Sequence, residues 1–299
     1  MKEFYAHGKL LISGEYLILD GAKGLALPTK KGQKLEVTSQ NDQLIQWESF
    51  DHNNELWFSM SCTTDFEKTE TTDPEISKHL ITLLSEAKRQ NPKFLGSGAT
   101  VKTHLEFPRE WGLGSSSTLI STIAQWAAID PFLLLKDRFK GSGYDIACAT
   151  AKGPIIYNIE NQKPRIVECS FNPNFIDHLF FVYLGSKQIS SEAINSYQKL
   201  HFDKQSAIQK ISSLTDQLTN ADDLISFQKL LSEHESLMAS ILNTKPVKEQ
   251  FFLDYQGAVK SLGAWGGDFA LMCGTKKTPS YVLEKGFDIV IPFRDMIFY

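Results

Sequence analysis

Apolar residues recur along this chain in two rhythms, and the change from one to the other divides it. Residues 4–20 carry short apolar runs around Gly8-Lys9 and Gly14-Glu15 and end at Asp20-Gly21, a strong turn signal. Positions 35–38, 56–60 and 100–107 alternate and predict strands, with Asn41-Asp42 and His52-Asn53-Asn54 as turns. Residues 62–74 are polar and predict a loop. In 74–90, Ile76, Leu80, Leu83, Leu84 and Ala87 fall at helical spacing. A mostly apolar helix is predicted at 116–128, a short one at 131–139 and a strand at 154–159. Beyond Pro173 the helical rhythm dominates. An apolar strand at 179–184 precedes two or three helices across 190–244, a further helix at 251–262, and closing strands at 269–272 and 288–291. The shift near Pro173 places a domain boundary between 1–172 and 173–299.

Composition narrows the class. The 299 residues are 42% hydrophobic and 22% charged, ordinary for a globular protein. A net charge of −4 and the lack of a basic aromatic stripe argue against a nucleic-acid partner. The cysteines at 62, 148, 169 and 273 form no C-x-x-C pair, which argues against a zinc site and suits reduced thiols. No apolar run is long enough for a signal peptide or a membrane span, so the expected location is the cytoplasm.

The chemistry concentrates in four segments. The run Pro-Arg-Glu-Trp-Gly-Leu-Gly-Ser-Ser-Ser-Thr at 108–118 leads an alternating strand through a glycine-rich turn into a helix. Such a turn lets backbone N–H groups and the helix start converge on an anion. An ordinary connection capped by Ser115 or Ser116 is the bland alternative, and the run is neither a Walker A loop nor G-x-G-x-x-G. Lys9 lies within an apolar run. It either snorkels to water or aims a cation at phosphate or a carboxylate. Asp145, in Gly-Ser-Gly-Tyr-Asp at 141–145, is either an N-cap or a general base. Gly-Ala-Trp-Gly-Gly-Asp at 263–268 is either a tight turn or a close backbone approach to a ligand.

In this order the four segments resemble the motifs of the GHMP kinase superfamily across nearly the whole chain. Among its members they are most similar to mevalonate and phosphomevalonate kinases. The run at 14–20, Gly-Ser-Gly-x-Asp and Gly-Gly-Asp at 266–268 resemble the phosphomevalonate enzymes, and Tyr16 stands where mevalonate kinases usually show His. The resemblance implies an α+β fold, with an N-terminal ribosomal protein S5 domain 2-like domain, a ferredoxin-like C-terminal domain and ATP in the cleft between them. It implies an ATP- and Mg²⁺-dependent kinase acting on mevalonate or phosphomevalonate in isoprenoid precursor synthesis. The expected catalytic residues are Lys9, paired with Asp145, and Asp145 itself. ATP phosphates are expected at Gly112, Leu113, Gly114, Ser115, Ser116 and Ser117, with Ser116 also on the metal. Acceptor contacts are expected from Glu15, Gly143, Gly266, Gly267 and Asp268, and more weakly from Lys187, Ser190 and Ser191. The partners are then ATP and a small, anionic hydroxylated acceptor, with the chain a monomer or homodimer and no membrane involved. A sugar or homoserine kinase and a nucleotide-binding relative without turnover are the alternatives. The departures are His7 in place of a common Pro, Trp265 in the third motif, and a short segment between Ser116 and Asp145. That segment lacks the Glu that often completes the metal site, for which Asp137 is the substitute.

Overall fold

The computed structural model describes all residues except 68–69, 136–140, 186–189 and 266; the side chains of Ser190 and Ser191 are also left out of the description. The chain forms two compact units, and its first two strands run from one into the other. One unit comprises Met1–Gly8, Lys31–Arg109 and Leu113–Phe139; the other comprises Lys9–Lys30, Glu110–Gly112 and Lys140–Tyr299. The boundary expected at 172/173 falls inside the second unit.

In the first unit, β1 (Lys2–Leu11) begins and β2 (Gly24–Ser39) ends. The hairpin of β3 (Leu44–Phe50) and β4 (Leu56–Thr63) is edged by the short β5 (Glu70–Thr71). Helix α1 (Pro74–Gln90) comes next, then β6 (Ala99–Leu105), which pairs in parallel with β3 and antiparallel with β2. Alternation turns Ile45, Trp47, Phe58, Met60 and Val101 into the core, where Leu80, Leu84 and Ala87 of α1 are also buried. Asp73 caps α1 by accepting from the N–H groups of Glu75 and Ile76, a contribution of about 1 kcal/mol. Helix α2 (Ser115–Ala127) lies against α1.

The second unit holds the rest: α3 (Tyr144–Ala149), β7 (Ile155–Glu160) and β8 (Lys163–Glu168), with β7 paired to the start of β2. After β9 (Leu179–Tyr183) come α4 (Ser190–Tyr197), α5 (Lys204–Thr219), α6 (Leu224–Leu242) and α7 (Val247–Phe251). The chain closes with β10 (Ala258–Ser261), β11 (Phe269–Cys273), α8 (Thr278–Glu284), β12 (Val290–Pro292) and α9 (Phe293–Met296). Strands β10-β11-β9-β12 form an antiparallel sheet in that order. The fold is mixed α/β, and among the described residues no helix is long and apolar enough to cross a membrane.

Two sequence expectations are corrected. The helix at 251–262 is instead the end of α7, a turn and strand β10. Phe252, Tyr255 and Val259 carry helix-like spacing, yet they reach one core from a turn and a strand. Gly257 lets the chain pass close to β11 there, because a Cβ would fall 1.8 Å from the Cys273 carbonyl oxygen. The helix at 131–139 is a 3₁₀ turn over Pro131–Leu134, and its predicted continuation past Leu135 lies outside the described residues.

Candidate active site

Strand β1 delivers Lys9 half-buried, with its ammonium donating to the Gly112 carbonyl oxygen at 2.9 Å. The same Nζ lies 5.7 Å from the centroid of the Tyr144 ring. Tyr144 and Asp145 open α3 behind Gly143, whose φ of 84° suits glycine. Asp145 Oδ1 accepts from the Ile146 N–H at 3.0 Å. Burial pulls the Lys9 ammonium toward deprotonation, but Tyr144, Asp145 and Asp268 outweigh it and hold its pKa above the ordinary value. Burial raises the Asp145 carboxyl, with Lys9 pulling it part of the way back.

Asp268 completes this group. It is 9% exposed and adopts a left-handed backbone with φ 53°. A Cβ on Gly112, itself at φ 65°, would fall 2.3 Å from its Oδ2. The hairpin carrying it is closed by the Leu262 N–H on the Phe269 carbonyl, and its own carbonyl accepts from Leu184. Trp111 meets Phe269 edge-on, with centroids 5.5 Å apart. Lys9, Gly112, Gly143, Asp145 and Asp268 are thus gathered in one unit, a lysine among carboxylates beside a glycine carbonyl.

The glycine-rich run continues into the other unit. Gly114, at φ 89°, precedes α2 without a side-chain cap. Ser117 Oγ turns back to the Gly114 carbonyl at 2.9 Å, and Thr118 Oγ1 to Gln33 and the Ser115 carbonyl. Leu113 is fully buried, whereas Ser116 is exposed. Gly267 is buried; Gly266, Lys187 and Asp137 lie outside the described residues, as do the side chains of Ser190 and Ser191.

Glu15 lies in the interior of the second unit. It is 1% exposed and ion-paired with Lys260, which is 0% exposed. Its Oε2 has no hydrogen-bond partner and lies 3.4 Å from His234 Nε2, which accepts from the Gly14 N–H. That bond puts the proton of the neutral imidazole on Nδ1, and burial with the nearby Lys260 holds the ring well below its ordinary pKa. Glu235 accepts from the N–H groups of Val247 and Ser261 and from the Ser261 hydroxyl. Lys260, His234 and Glu235 escaped sequence reasoning. The available signals were a lone cation in the apolar run Ala-Val-Lys-Ser-Leu and a His-Glu pair on the apolar stripe of α6 with Leu231 and Met238.

Burial pushes the Glu15 carboxyl up to about 7, with Lys260 opposing. The folded chain then holds this proton more tightly than the unfolded chain, so Glu15 contributes most at low pH and loses that contribution as pH rises toward 7. At about 1.4 kcal/mol per pH unit the full effect is roughly 3 kcal/mol. Urea unfolding of the wild type and Glu15→Gln at pH 5 and pH 8 checks this: the wild type should lose stability relative to the variant at pH 8. Parallel curves would remove the buried proton.

No protein-family model and no curated protein sequence matches the chain. Solved structures do. The mevalonate kinase of Methanococcus jannaschii superposes with a TM-score of 0.72 at 18% identity, covering 97% of this chain and 96% of that one. The Streptococcus pneumoniae phosphomevalonate kinase, solved with phosphomevalonate and AMPPNP, gives 0.72 at 15% identity, covering 97% and 99%. The Lactococcus lactis galactokinase, solved with galactose, gives 0.66 at 13% identity, covering 95% and 88%. These neighbours are GHMP kinases, and the chain has the GHMP kinase fold.

Proposed function

We propose that this protein is an ATP-dependent small-molecule kinase that transfers the γ-phosphoryl group to mevalonate or phosphomevalonate. The observation that carries this is the Lys9 ammonium, fixed on the Gly112 carbonyl and kept charged by Asp145 and Asp268. Phosphoryl transfer asks mainly for positioning and charge. Asp145 accepts the proton of the acceptor hydroxyl as its oxygen bonds to phosphorus and the bond to the ADP oxygen breaks. Its raised pKa suits a group that must take up a proton. Lys9 stabilises the charge spread over the transferred group. The uncapped N–H groups at the start of α2 and the backbone at 112–117 bind phosphate oxygens. Gly143, Gly267 and the Asp268 loop shape the acceptor side, and Glu15 acts from the interior.

The donors also suit Mg²⁺. Ser116 offers an exposed hydroxyl, and among the described residues no three His, Cys, Asp or Glu cluster into a cage. Magnesium takes oxygen ligands and keeps several waters, so one hydroxyl with phosphate oxygens fits it. When bound it neutralises charge on the phosphates.

A sugar acceptor is the second reading, favoured by the likeness to the galactokinase and by the half-buried Trp111 ring packed edge-on against Phe269. Coupled ADP release with mevalonate, phosphomevalonate, galactose and homoserine offered separately tests both. Turnover with one of the first two is expected. Turnover with galactose alone selects the second reading, and ATP binding without turnover on any acceptor counts against the kinase.

A further inference from the structure

The charged groups buried behind Glu15 serve no step of the reaction above, yet they join two segments that do. Glu15 belongs to the turn after β1, the strand that carries Lys9. Lys260 belongs to β10, which runs into the hairpin loop that carries Asp268. The Lys260 ammonium contacts the Glu15 carboxylate and donates to the Ser261 carbonyl at 2.8 Å. Ser261 in turn gives its N–H and hydroxyl to Glu235, and the Gly14 N–H is held by His234. The turn is tightly packed, and only glycine fits at position 14, since a Cβ there would fall 2.7 Å from the Gly24 Cα. Tyr16, beside Glu15, has φ 58° and lies in the field of both Glu15 and Asp268.

Building on the kinase reading, we propose that Lys260 is a positioning residue: its ion pair with Glu15 sets the β1 turn against the β10–β11 hairpin and so sets Asp268 relative to Lys9. A fully buried ammonium is a poor device for stability alone. Replacing a buried ion pair with uncharged groups of similar volume is often neutral or stabilising, whereas removing one partner leaves an uncompensated charge. The pair holds two segments in one register, which an apolar contact would specify less sharply. Four titratable groups face one another here, Glu15 from the β1 turn, Lys260 from β10, and His234 and Glu235 from α6, with Tyr16 alongside.

The test separates fold from position. Lys260→Met alone should lower Tm, because Glu15 and Glu235 lose their cation. Glu15→Gln with Lys260→Met should regain most of that loss, since Glu235 keeps its donors from Val247 and Ser261. In this double variant, the pH midpoint for acylation of Lys9 by an amine-reactive reagent, read by peptide mass spectrometry, should move to lower pH. With the active acceptor, kcat should fall about tenfold or more with KM little changed. A double variant in which Tm, Lys9 labelling and kcat all return to wild-type values overturns the proposal. So does a double variant that fails to fold, which assigns the pair to stability alone. If the wild type turns over no acceptor, the kinase reading fails, and Lys9 labelling still decides whether Lys260 positions Asp268.

Discussion

Asp145→Asn should reduce turnover by about 10²–10⁴-fold while leaving ATP affinity within a few-fold of wild type, the span expected when a general base is removed. The substitution is nearly isosteric, and the Ile146 N–H keeps an oxygen to bond, so α3 should stay in place. Lys9 would lose one of the charges that hold its proton. The high-pH limb of the rate profile should therefore move down as well as the plateau. Steady-state kinetics across pH 6–10, with nucleotide binding measured by calorimetry, checks both. Near-normal turnover would take Asp145 out of the chemistry.

Gly112→Ala should cost about 10²-fold in kcat/KM, because it displaces groups at the centre of the site. The left-handed backbone alone costs a non-glycine residue about 1–3 kcal/mol. The new methyl would also overlap the Asp268 carboxylate, which must move, and the carbonyl that holds Lys9 moves with it. Gly141→Ala is the control. Gly141 has no neighbour within 4 Å of an added Cβ, so the variant should differ from wild type by at most about 0.5 kcal/mol in stability. Equal kinetics for the two alanine variants would show that the Gly112–Asp268 approach does not matter to function.

What was legible in the sequence is what short-range chemistry writes there. Helix α1 is dictated by the spacing of Leu80, Leu83, Leu84 and Ala87 behind an Asp-Pro start, and its bounds agree with the expectation. Lys9, Gly112 and Asp145 stood out because a cation in an apolar run and glycine-rich turns are local anomalies, and the fold brings them together. Strand β10 was lost because its apolar residues keep a helical interval, while its pairing with β11 is decided by residues further along the chain. Strand β3 went unassigned although it alternates. The role of Glu15 could not be read locally either. The resemblance implies an acceptor contact for Glu15, while its neighbours Lys260 and His234, which place its carboxylate in the interior, are reached only through the folded chain.

Glu15 and Lys260 are 245 positions apart, and Gly14 and His234 are 220 apart. On the ribosome, the turn that carries Glu15 emerges long before either partner. Until β10 has been made, Glu15 has no cation to meet, and enclosing it as a carboxylate would leave an uncompensated charge in an apolar interior. The Glu15–Lys260 pair can therefore form only late in synthesis, and contacts of such long separation are slow to form. A chain released before residue 260 would leave Glu15 without its cation, although Leu17 and Ala22 would already have Tyr197, Ile211 and Met238 to pack against. Strand β10 thus completes a part of the molecule that was translated well before it.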